Sequence, residues 1–453
     1  MTERLRLRRV SWPAILILAG SAMVVGLHVR AYTTTSSIDE LSHIDTLIKA
    51  SEFDFVQDNE RVGQRAMREE ACRGIDRGDP LPRCDTTSFE PNFFREYGVN
   101  VTAGRVPLYH LVTGLPARLA AATLGFSSIV TAARLLGFVW LAGGLFVTWL
   151  LMKELGVGPR PRAVALGLLA TTPVVLHASA IVNADAALLL AGASVTYVVL
   201  LWERNAVSPW LAASVVVVAL LAEPTTLLGV GLASIYLLVR SLGSSQAEEN
   251  EAGDRETPVA KARLRYAGLG LAAVGVLLAV GFPATYRALI GDATVETHPV
   301  TPAESAAQHH AEEISYGGVS GDKIFAEVTG LMTPVIRAHT PPFLRGAGAD
   351  VLVAATHWVL IGALFAALAF EKRGGRAEAI ALATLVVLLV AGPAHAALNA
   401  RRDVFFAIPT RFGLPLLPSM FALYAHSLRK PRVLAVAAAG TLAGVTYILF
   451  RLV

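Results

Sequence analysis

The 453-residue sequence predicts an all-α protein that crosses a membrane many times. Its mean hydropathy is +0.54, and hydrophobic residues make up 54% of the chain while charged residues make up only 16%. Apolar runs of about 20 residues recur, which is the length that a helix needs to cross a hydrocarbon core about 30 Å thick. This composition excludes an ordinary soluble protein. The net charge of +4 falls mostly in short loops, so it indicates membrane topology and no nucleic-acid partner.

A basic N-terminal stretch, residues 1–9, precedes the first apolar run, and no small-residue cleavage site follows that run. We therefore expect a retained first helix at about residues 11–29, with its N-terminus in the cytoplasm. Later clusters of Lys and Arg alternate with the apolar runs and predict eleven crossings, with both long loops outside. The other ten spans are expected at about 130–152, 162–181, 185–202, 208–222, 225–240, 264–286, 351–370, 376–397, 411–427 and 432–450.

The stretch 106–125 is apolar but contains Pro107, Pro116 and Arg118. The charge pattern holds only if this stretch dips into the membrane or lies at its surface, so it is not counted as a crossing. The chain, 1–453, is then a single integral-membrane domain. Its polar segments are a first extracytoplasmic loop at 30–105, a cytoplasmic linker at 241–263 and a second extracytoplasmic loop at 288–350.

Two adjacent carboxylates, the pair Asp39–Glu40, directly follow the first span, with His43 three residues further on. On a helix, His43 shares a face with both carboxylates, because residues three and four apart are neighbours. An apolar stripe over 41–48 predicts that this helix lies on the bilayer surface. Ser36 or Ser37 is the expected N-cap, which would place both acids in the first turn. Acids that merely cap an interfacial helix would give the same pattern.

The only two cysteines, Cys72 and Cys84, both lie in the first long loop. An extracytoplasmic loop is in an oxidising compartment, where such a pair typically closes a small disulfide ring. The alternative is two free thiols. A disulfide, together with the phenylalanines of this loop, favours an ordered loop.

Four segments, in their order along the apolar spans, resemble motifs of the GT-C superfamily of integral-membrane glycosyltransferases. Asp39–His43 has the Asp-Glu-x-x-His form of one bacterial branch, and Arg105–Tyr109 is similar to the Pro-Pro-Leu-Tyr segment of the family. Val182–Ala186 is similar to its Asn-x-Asp-Ala motif, and Thr410–Pro415 to its late Gly-Arg-Tyr-x-x-Pro segment. This chain departs from the pattern by having one proline in the second segment and Thr-Arg-Phe in the fourth. Glu223 replaces a lysine that is often found between the middle helices.

The resemblance implies a GT-C-like bundle whose long first loop carries interfacial helices. It also implies an inverting enzyme that takes a sugar from a polyprenyl-phosphate carrier at the outer membrane face. Asp39 is then the catalytic base and Glu40 its helper, with His43 orienting one of them. An arginine suits the leaving phosphate, because its planar guanidinium binds phosphate oxygens bidentately. The other expected substrate-binding residues are Arg105, Tyr109, Asn183, Asp185 and Arg411.

The predicted topology gathers five charged residues, Asp39, Arg105, Asp185, Glu223 and Arg411, at the outer ends of the spans. Ionisable groups at membrane depth are costly and are therefore functional candidates. Simpler explanations exist for two of them. Asp185 is also a suitable cap for the helix that follows it, and Arg411 a suitable membrane anchor on the outer side.

We expect no metal site. The segment 309–313 holds two histidines and two glutamates, but no cysteine and no third spaced ligand accompanies them. No cofactor is expected, and dependence on a divalent metal is left open. His110 and His177 are expected to be packed, hydrogen-bonded core residues rather than ligands.

The expected partners are a polyprenyl-phosphate-linked sugar donor, an envelope glycan, glycolipid or protein acceptor, and membrane lipids. The expected location is the plasma membrane of a high-GC bacterium, because Arg far outnumbers Lys and Ala is abundant. Two other functional classes fit the same composition. One is a lipid or oligosaccharide transporter or flippase, which typically shows inverted repeats and broken helices. The other is a catalytically silent envelope scaffold with the same fold.

Overall fold

The computed structural model describes residues 12–76, 80–243, 258–291, 314–316, 344, 346–399, 404–406 and 409–453. Helices dominate these ranges, in agreement with the predicted class. The α-helices are α1 (Trp12–Ala31), α2 (Glu40–Ala50), α3 (Gln64–Arg73), α4 (Leu108–Leu124), α5 (Ile129–Glu154), α6 (Pro159–Ala170), α7 (Pro173–Ala180), α8 (Leu188–Glu203), α9 (Pro209–Ala222), α10 (Leu227–Gly243), α11 (Pro258–Val276), α12 (Phe282–Ile290), α13 (Ala347–Phe370), α14 (Arg376–Asn399), α15 (Leu417–Ser427) and α16 (Pro431–Leu452).

Shorter elements connect these helices. Strands β1 (Ile314–Tyr316) and β2 (Val404–Phe406) form an antiparallel ribbon with Ser315 opposite Phe405. The ribbon joins the predicted second loop to the segment that leads into α15. The 3₁₀ turns are Pro91–Phe93, Arg95–Gly98, Ala184–Ala187, Pro224–Thr226 and Thr410–Leu416, and one π-helical turn, Leu277–Gly281, joins α11 to α12.

Within the described ranges, eight helices are long and apolar enough to cross a membrane, which is consistent with the predicted multi-pass class. Helices α6 and α7 are bent by 63° at their junction and together form a ninth candidate span. The spans predicted at 208–222 and 411–427 correspond to α9 and α15, which are only 14 and 11 residues long. The expected count of eleven is therefore not confirmed. Helix α4, over the stretch not counted as a crossing, is not among the eight.

The centre of the bundle is α8, whose apolar residues face neighbours on all sides. It packs against α5, α9 and α10, and 78% of its apolar window is buried. A helix that is apolar all round belongs in an interior. Gly192 of α8 lies so close to Pro415 that an added Cβ would clash with the Pro415 carbonyl oxygen. This close approach brings the Thr410–Leu416 turn against the start of α8, where the candidate site lies.

The first long loop folds over α2 and buries it, so the predicted surface helix is wrong. Helix α2 packs between α3 and α4, and all its residues except Lys49 are buried. Its apolar stripe contacts Val62, Met67 and Phe89 of the same loop. On its polar side, Asp45 bonds to the Nζ of Lys49 at 2.7 Å, and the loop closes over this network. The stripe that suggested contact with lipid is covered by protein.

The predicted disulfide between Cys72 and Cys84 is present. It links the last turn of α3 to the segment that precedes the Pro91–Phe93 turn. The disulfide therefore ties the segment that covers α2 to α3.

The helix ends opposite the first loop share a network of ion pairs. Glu203, at the end of α8, bonds to Arg240 at 2.7 Å and to Arg376 at 3.0 Å. Glu154, at the end of α5, lies 3.5 Å from Arg376 and also pairs with Arg204. The three arginines of this network are among the basic residues that the charge pattern assigns to the cytoplasm. The fold places them together at one end of the bundle.

Much of the two other predicted segments lies outside the described residues. Of the linker 241–263, the structure describes its two ends, which belong to α10 and α11. Of the second loop, 288–350, it describes the end of α12, β1 and the start of α13. The His- and Glu-containing segment 309–313 lies outside the described residues.

Candidate functional site

Asp39 is the N-cap residue of α2 and has a left-handed backbone, with φ 55° and ψ 8°. The helix begins at Glu40, so neither Ser36 nor Ser37 is the cap, contrary to prediction. Left-handed residues other than glycine are uncommon, Asp is among the more tolerant types, and such conformations cluster at functional sites. The Asp39 side chain makes no capping hydrogen bond and is 29% exposed. Its carboxylate is therefore available to groups outside its own helix.

Arg411, in the Thr410–Leu416 turn, contacts two carboxylates that are far from it in sequence. Its Nη2 donates to Oδ2 of Asp39 at 3.2 Å, and its Nε lies 2.9 Å from Oδ2 of Asp185. The second contact is an ion pair without a hydrogen bond, because the Nε–H is not aligned with the carboxylate. The Arg411 and Asp185 side chains are 14% and 8% exposed, so solvent screens this pair weakly. We call these three residues the Asp39 cluster.

Asn183 fixes the backbone around Asp185. Its Oδ1 accepts a hydrogen bond from the Asp185 N–H at 2.9 Å, and its Nδ2 donates to the Ile38 carbonyl at 3.4 Å. The residue before α8 is Ala187, so the alternative that Asp185 caps this helix is wrong. Asn183 thus connects the Asp185 turn to the residue that precedes Asp39.

Two more charged residues surround the Asp39 cluster, as the topology predicted. Glu223 and Arg105 both lie within electrostatic range of Asp185. Glu223 is buried and accepts a hydrogen bond from Oγ1 of Thr225 at 3.2 Å. Arg105 is exposed, and no side chain of the described residues pairs with it. Arg105 is therefore a cation beside the cluster that is open to a ligand.

Glu40 occupies a closed pocket rather than an open site. It is fully buried and forms a bidentate pair with Arg134 of α5, at 2.9 Å from Nε to Oε1 and 2.7 Å from Nη2 to Oε2. The backbone N–H groups of Ser36 and Val182 also donate to it, at 2.6 and 2.8 Å. Four donors surround its two oxygens. Glu40 therefore joins α2, α5 and the Asn183 turn, and it holds the neighbouring Asp39 in place.

His43 does not orient either carboxylate, contrary to prediction. Its Nδ1 lies 2.9 Å from Nε2 of His110, and the two rings are stacked with centroids 5.1 Å apart. Burial lowers the pKa of His43 well below its ordinary value, and the nearby His110, Arg105 and Arg411 lower it further. The ring is therefore neutral, and it packs beneath the Asp39 cluster without contacting a carboxylate.

The remaining aromatic candidates are core residues. Tyr109 is 2% exposed and packs against Trp140, with ring centroids 5.5 Å apart. His110 and His177 are buried and bonded to other side chains, as predicted. Tyr109 therefore packs in the core next to the site and is not exposed to a ligand.

Arg134 is a residue of the site that the sequence motifs did not indicate. It is a single charge in the apolar run of α5, and an intramembrane arginine requires an acidic partner. That signal was available, because Glu40 is an acid at the predicted outer end of a neighbouring span.

Glu70 of α3 was also missed, and no sequence signal marks it. It is 1% exposed, accepts a hydrogen bond from Thr35 at 3.3 Å, and has no partner on Oε2 within the described residues. Burial raises the pKa of Glu70 to about 7. Its proton therefore contributes to the stability of the first loop.

The contribution of Glu70 to stability is expected to fall between pH 5 and pH 8. A carboxyl whose folded pKa exceeds its unfolded value stabilises the fold below the unfolded pKa, and this contribution is lost as pH rises to the folded pKa. From 4.5 to about 7 the loss is on the order of 3 kcal/mol. Thermal unfolding in detergent at both pH values measures it. Glu70→Gln should remove this component, so its stability relative to the wild type should increase from pH 5 to pH 8, whereas Glu69→Gln should keep the wild-type pH dependence. Equal slopes for Glu70→Gln and the wild type would contradict this assignment.

The cluster offers charged and hydrogen-bonding groups. Among the described residues, no group of three or more His, Cys, Asp or Glu side chains is arranged to hold a metal ion. A partly exposed carboxylate, a guanidinium that bridges two acids and Arg105, which pairs with no side chain in the described part of the chain, lie together at one end of the bundle. These groups can accept a proton and bind an anionic oxygen.

Comparison of this chain with models of protein families, with curated proteins and with solved structures finds no match in any of the three. The function is therefore inferred from the geometry of the site and from the motif resemblance.

Proposed function

We propose that this protein is an inverting glycosyltransferase that moves a sugar from a polyprenyl-phosphate carrier to an acceptor of the cell envelope. One observation carries the proposal. Asp39, held in a left-handed conformation, is partly exposed and bonded to Arg411, a cation that already bridges two acids. A base and a phosphate-binding group are the two parts that this reaction requires side by side.

In the proposed reaction, the acceptor hydroxyl oxygen forms a bond to the anomeric carbon of the donor. The bond between that carbon and the phosphate oxygen breaks, and its electron pair leaves with polyprenyl phosphate. Asp39 accepts the hydroxyl proton. Arg411, with Arg105 beside it, binds the leaving phosphate, and this exchange of partners frees Asp39 from its ion pair.

Asp185 and Glu40 have supporting roles in this proposal. Asp185 holds the guanidinium of Arg411 next to Asp39, and Glu40 holds the turn that carries Asp39. Preorganised charge of this kind costs no reorganisation when the reaction occurs. We further propose that the cluster faces outward from the plasma membrane of a high-GC bacterium, where a lipid carrier can bring its phosphate to the interface.

A lipid transporter is the second candidate, and one observation favours it. Helices α6 and α7 form a broken helix with a bend of 63°, a feature of transporters. Such a protein would move a lipid-linked sugar without cleaving it.

Chemical analysis of the lipid product distinguishes the two candidates. The purified protein in liposomes is given a radiolabelled polyprenyl-phosphate sugar and a crude envelope acceptor fraction. We expect free polyprenyl phosphate and a glycosylated acceptor of inverted anomeric configuration. Recovery of intact donor in the opposite leaflet would support the transporter instead. Intact donor in its original leaflet would contradict both.

A further inference from the structure

A cavity of about 550 Å³ opens at the end of the bundle opposite the Asp39 cluster. Its walls are the connection 156–158 between α5 and α6, the first turn of α6, the end of α15 and the start of α16. Val157, Leu428 and Leu434 supply apolar wall surface. The cavity takes no part in the proposed transfer reaction, because the length of α15 separates it from Arg411.

Two arginines from distant parts of the chain line this cavity. Arg160 is exposed and pairs with no side chain of the described residues. Arg429 is 64% exposed, and its Nη1 lies 3.7 Å from Glu371. His426, which also lines the cavity, contacts Nη2 of Arg429 and lies 3.1 Å from Glu371. Glu371 and His426 thus position one edge of Arg429, while Arg160 remains open.

Membrane topology alone does not account for this arrangement. Basic residues gather in loops on one side of a membrane, but that tendency does not require two of them to line one apolar cavity. Two guanidinium groups above apolar walls match an amphiphile that carries phosphate oxygens and hydrocarbon chains. We propose that this cavity binds the phosphate of an anionic phospholipid from the adjacent leaflet.

A lipid bound here would hold the end of α15. That helix begins directly after the turn that carries Arg411, and the whole segment from Thr410 to Ser427 is continuous. A lipid in this cavity would thus connect the lipid composition of one leaflet, through α15, to the Asp39 cluster at the other end of the bundle.

The test measures phospholipid retained by the purified full-length protein, by native mass spectrometry after reconstitution in phosphatidylcholine nanodiscs with 20% phosphatidylglycerol. We expect the wild-type protein to retain more phosphatidylglycerol than its share of the nanodisc lipid. The double variant Arg160→Gln/Arg429→Gln should bind phosphatidylglycerol at least tenfold more weakly. The matched control is Arg263→Gln/Arg265→Gln, which removes the same charge at the same end but outside the cavity. The control should retain binding within twofold. If the first double variant is unstable, Arg160→Gln alone should weaken binding at least threefold.

In this arm, two results would overturn the proposal. One is equal retention by the wild type and the cavity variants, and the other is an equal loss in the control, which would indicate diffuse surface charge. A second arm uses soluble glycerol phosphate as competitor at the same phosphate concentration. Failure to displace the lipid supports a lipid site, whereas full displacement would identify a site for soluble phosphate compounds and overturn the assignment to a lipid.

Discussion

Asp39→Asn is expected to lower sugar transfer by about 10²–10⁴-fold, the contribution typical of a general base. The amide cannot accept the hydroxyl proton, but its oxygen can still accept the hydrogen bond from Arg411. Asn also tolerates the left-handed backbone at this position, so the turn and the start of α2 should be retained. The measurement is the initial rate of transfer from a polyprenyl-phosphate sugar, with unfolding temperature as the check on folding.

Asp54→Asn is the matched control, since Asp54 is an exposed acid of the same loop. Its rate should remain within twofold of the wild type. If Asp39→Asn transferred sugar within a few-fold of the wild-type rate, Asp39 would not be the base. A loss in both variants would indicate a general effect of loop charge.

Glu40→Gln is expected to destabilise the protein by about 3–5 kcal/mol, because it leaves the Arg134 charge buried without a counter-ion. The change is nearly isosteric, so the loss of stability measures the effect of the removed charge and not of a change in side-chain shape. Thermal unfolding in detergent, followed by tryptophan fluorescence, measures it. Transfer activity per folded molecule should fall much less than in Asp39→Asn, since Glu40 positions the turn and does not accept the proton.

Glu69→Gln is again a suitable control, because Glu69 forms a partly exposed ion pair with Arg73, with 3.0 Å between Oε2 and Nε. Such a pair contributes about 1 kcal/mol or less. A destabilisation by Glu40→Gln no larger than that of Glu69→Gln would contradict the buried role of Glu40. Loss of activity in a fully stable Glu40→Gln protein would instead make Glu40 the base.

The sequence predicted the membrane class, the disulfide and the gathering of charged residues, because each depends on local or additive properties. Apolar length and loop charge are summed along the chain, and they determine which span ends share a side. The number of spans was harder to predict. Helices α9 and α15 are apolar but short, and α6 and α7 divide one apolar run at a bend.

The details of the site depend on contacts between distant segments, which periodicity does not reveal. His43 shares a helical face with the acids, yet its ring bonds to His110, 67 residues further along the chain. Glu40 and Asp39 are adjacent, but one faces Arg134 and the other faces Arg411. The left-handed turn at Asp39 separates their directions, and no sequence signal distinguishes that turn from a regular helix start.

The compartment that the Asp39 cluster faces is the most direct test of the proposal, because a polyprenyl-phosphate donor requires the outer face. Phe93→Cys, at an exposed site of the first loop, and Arg373→Cys, at the opposite end of the bundle, provide single labels. Cys72 and Cys84 are bonded to each other and do not react. In intact cells, a membrane-impermeant maleimide should label Phe93→Cys, and it should label Arg373→Cys only after lysis. The reverse pattern would place the cluster in the cytoplasm, where the donor would be a nucleotide sugar, and would contradict the proposed function.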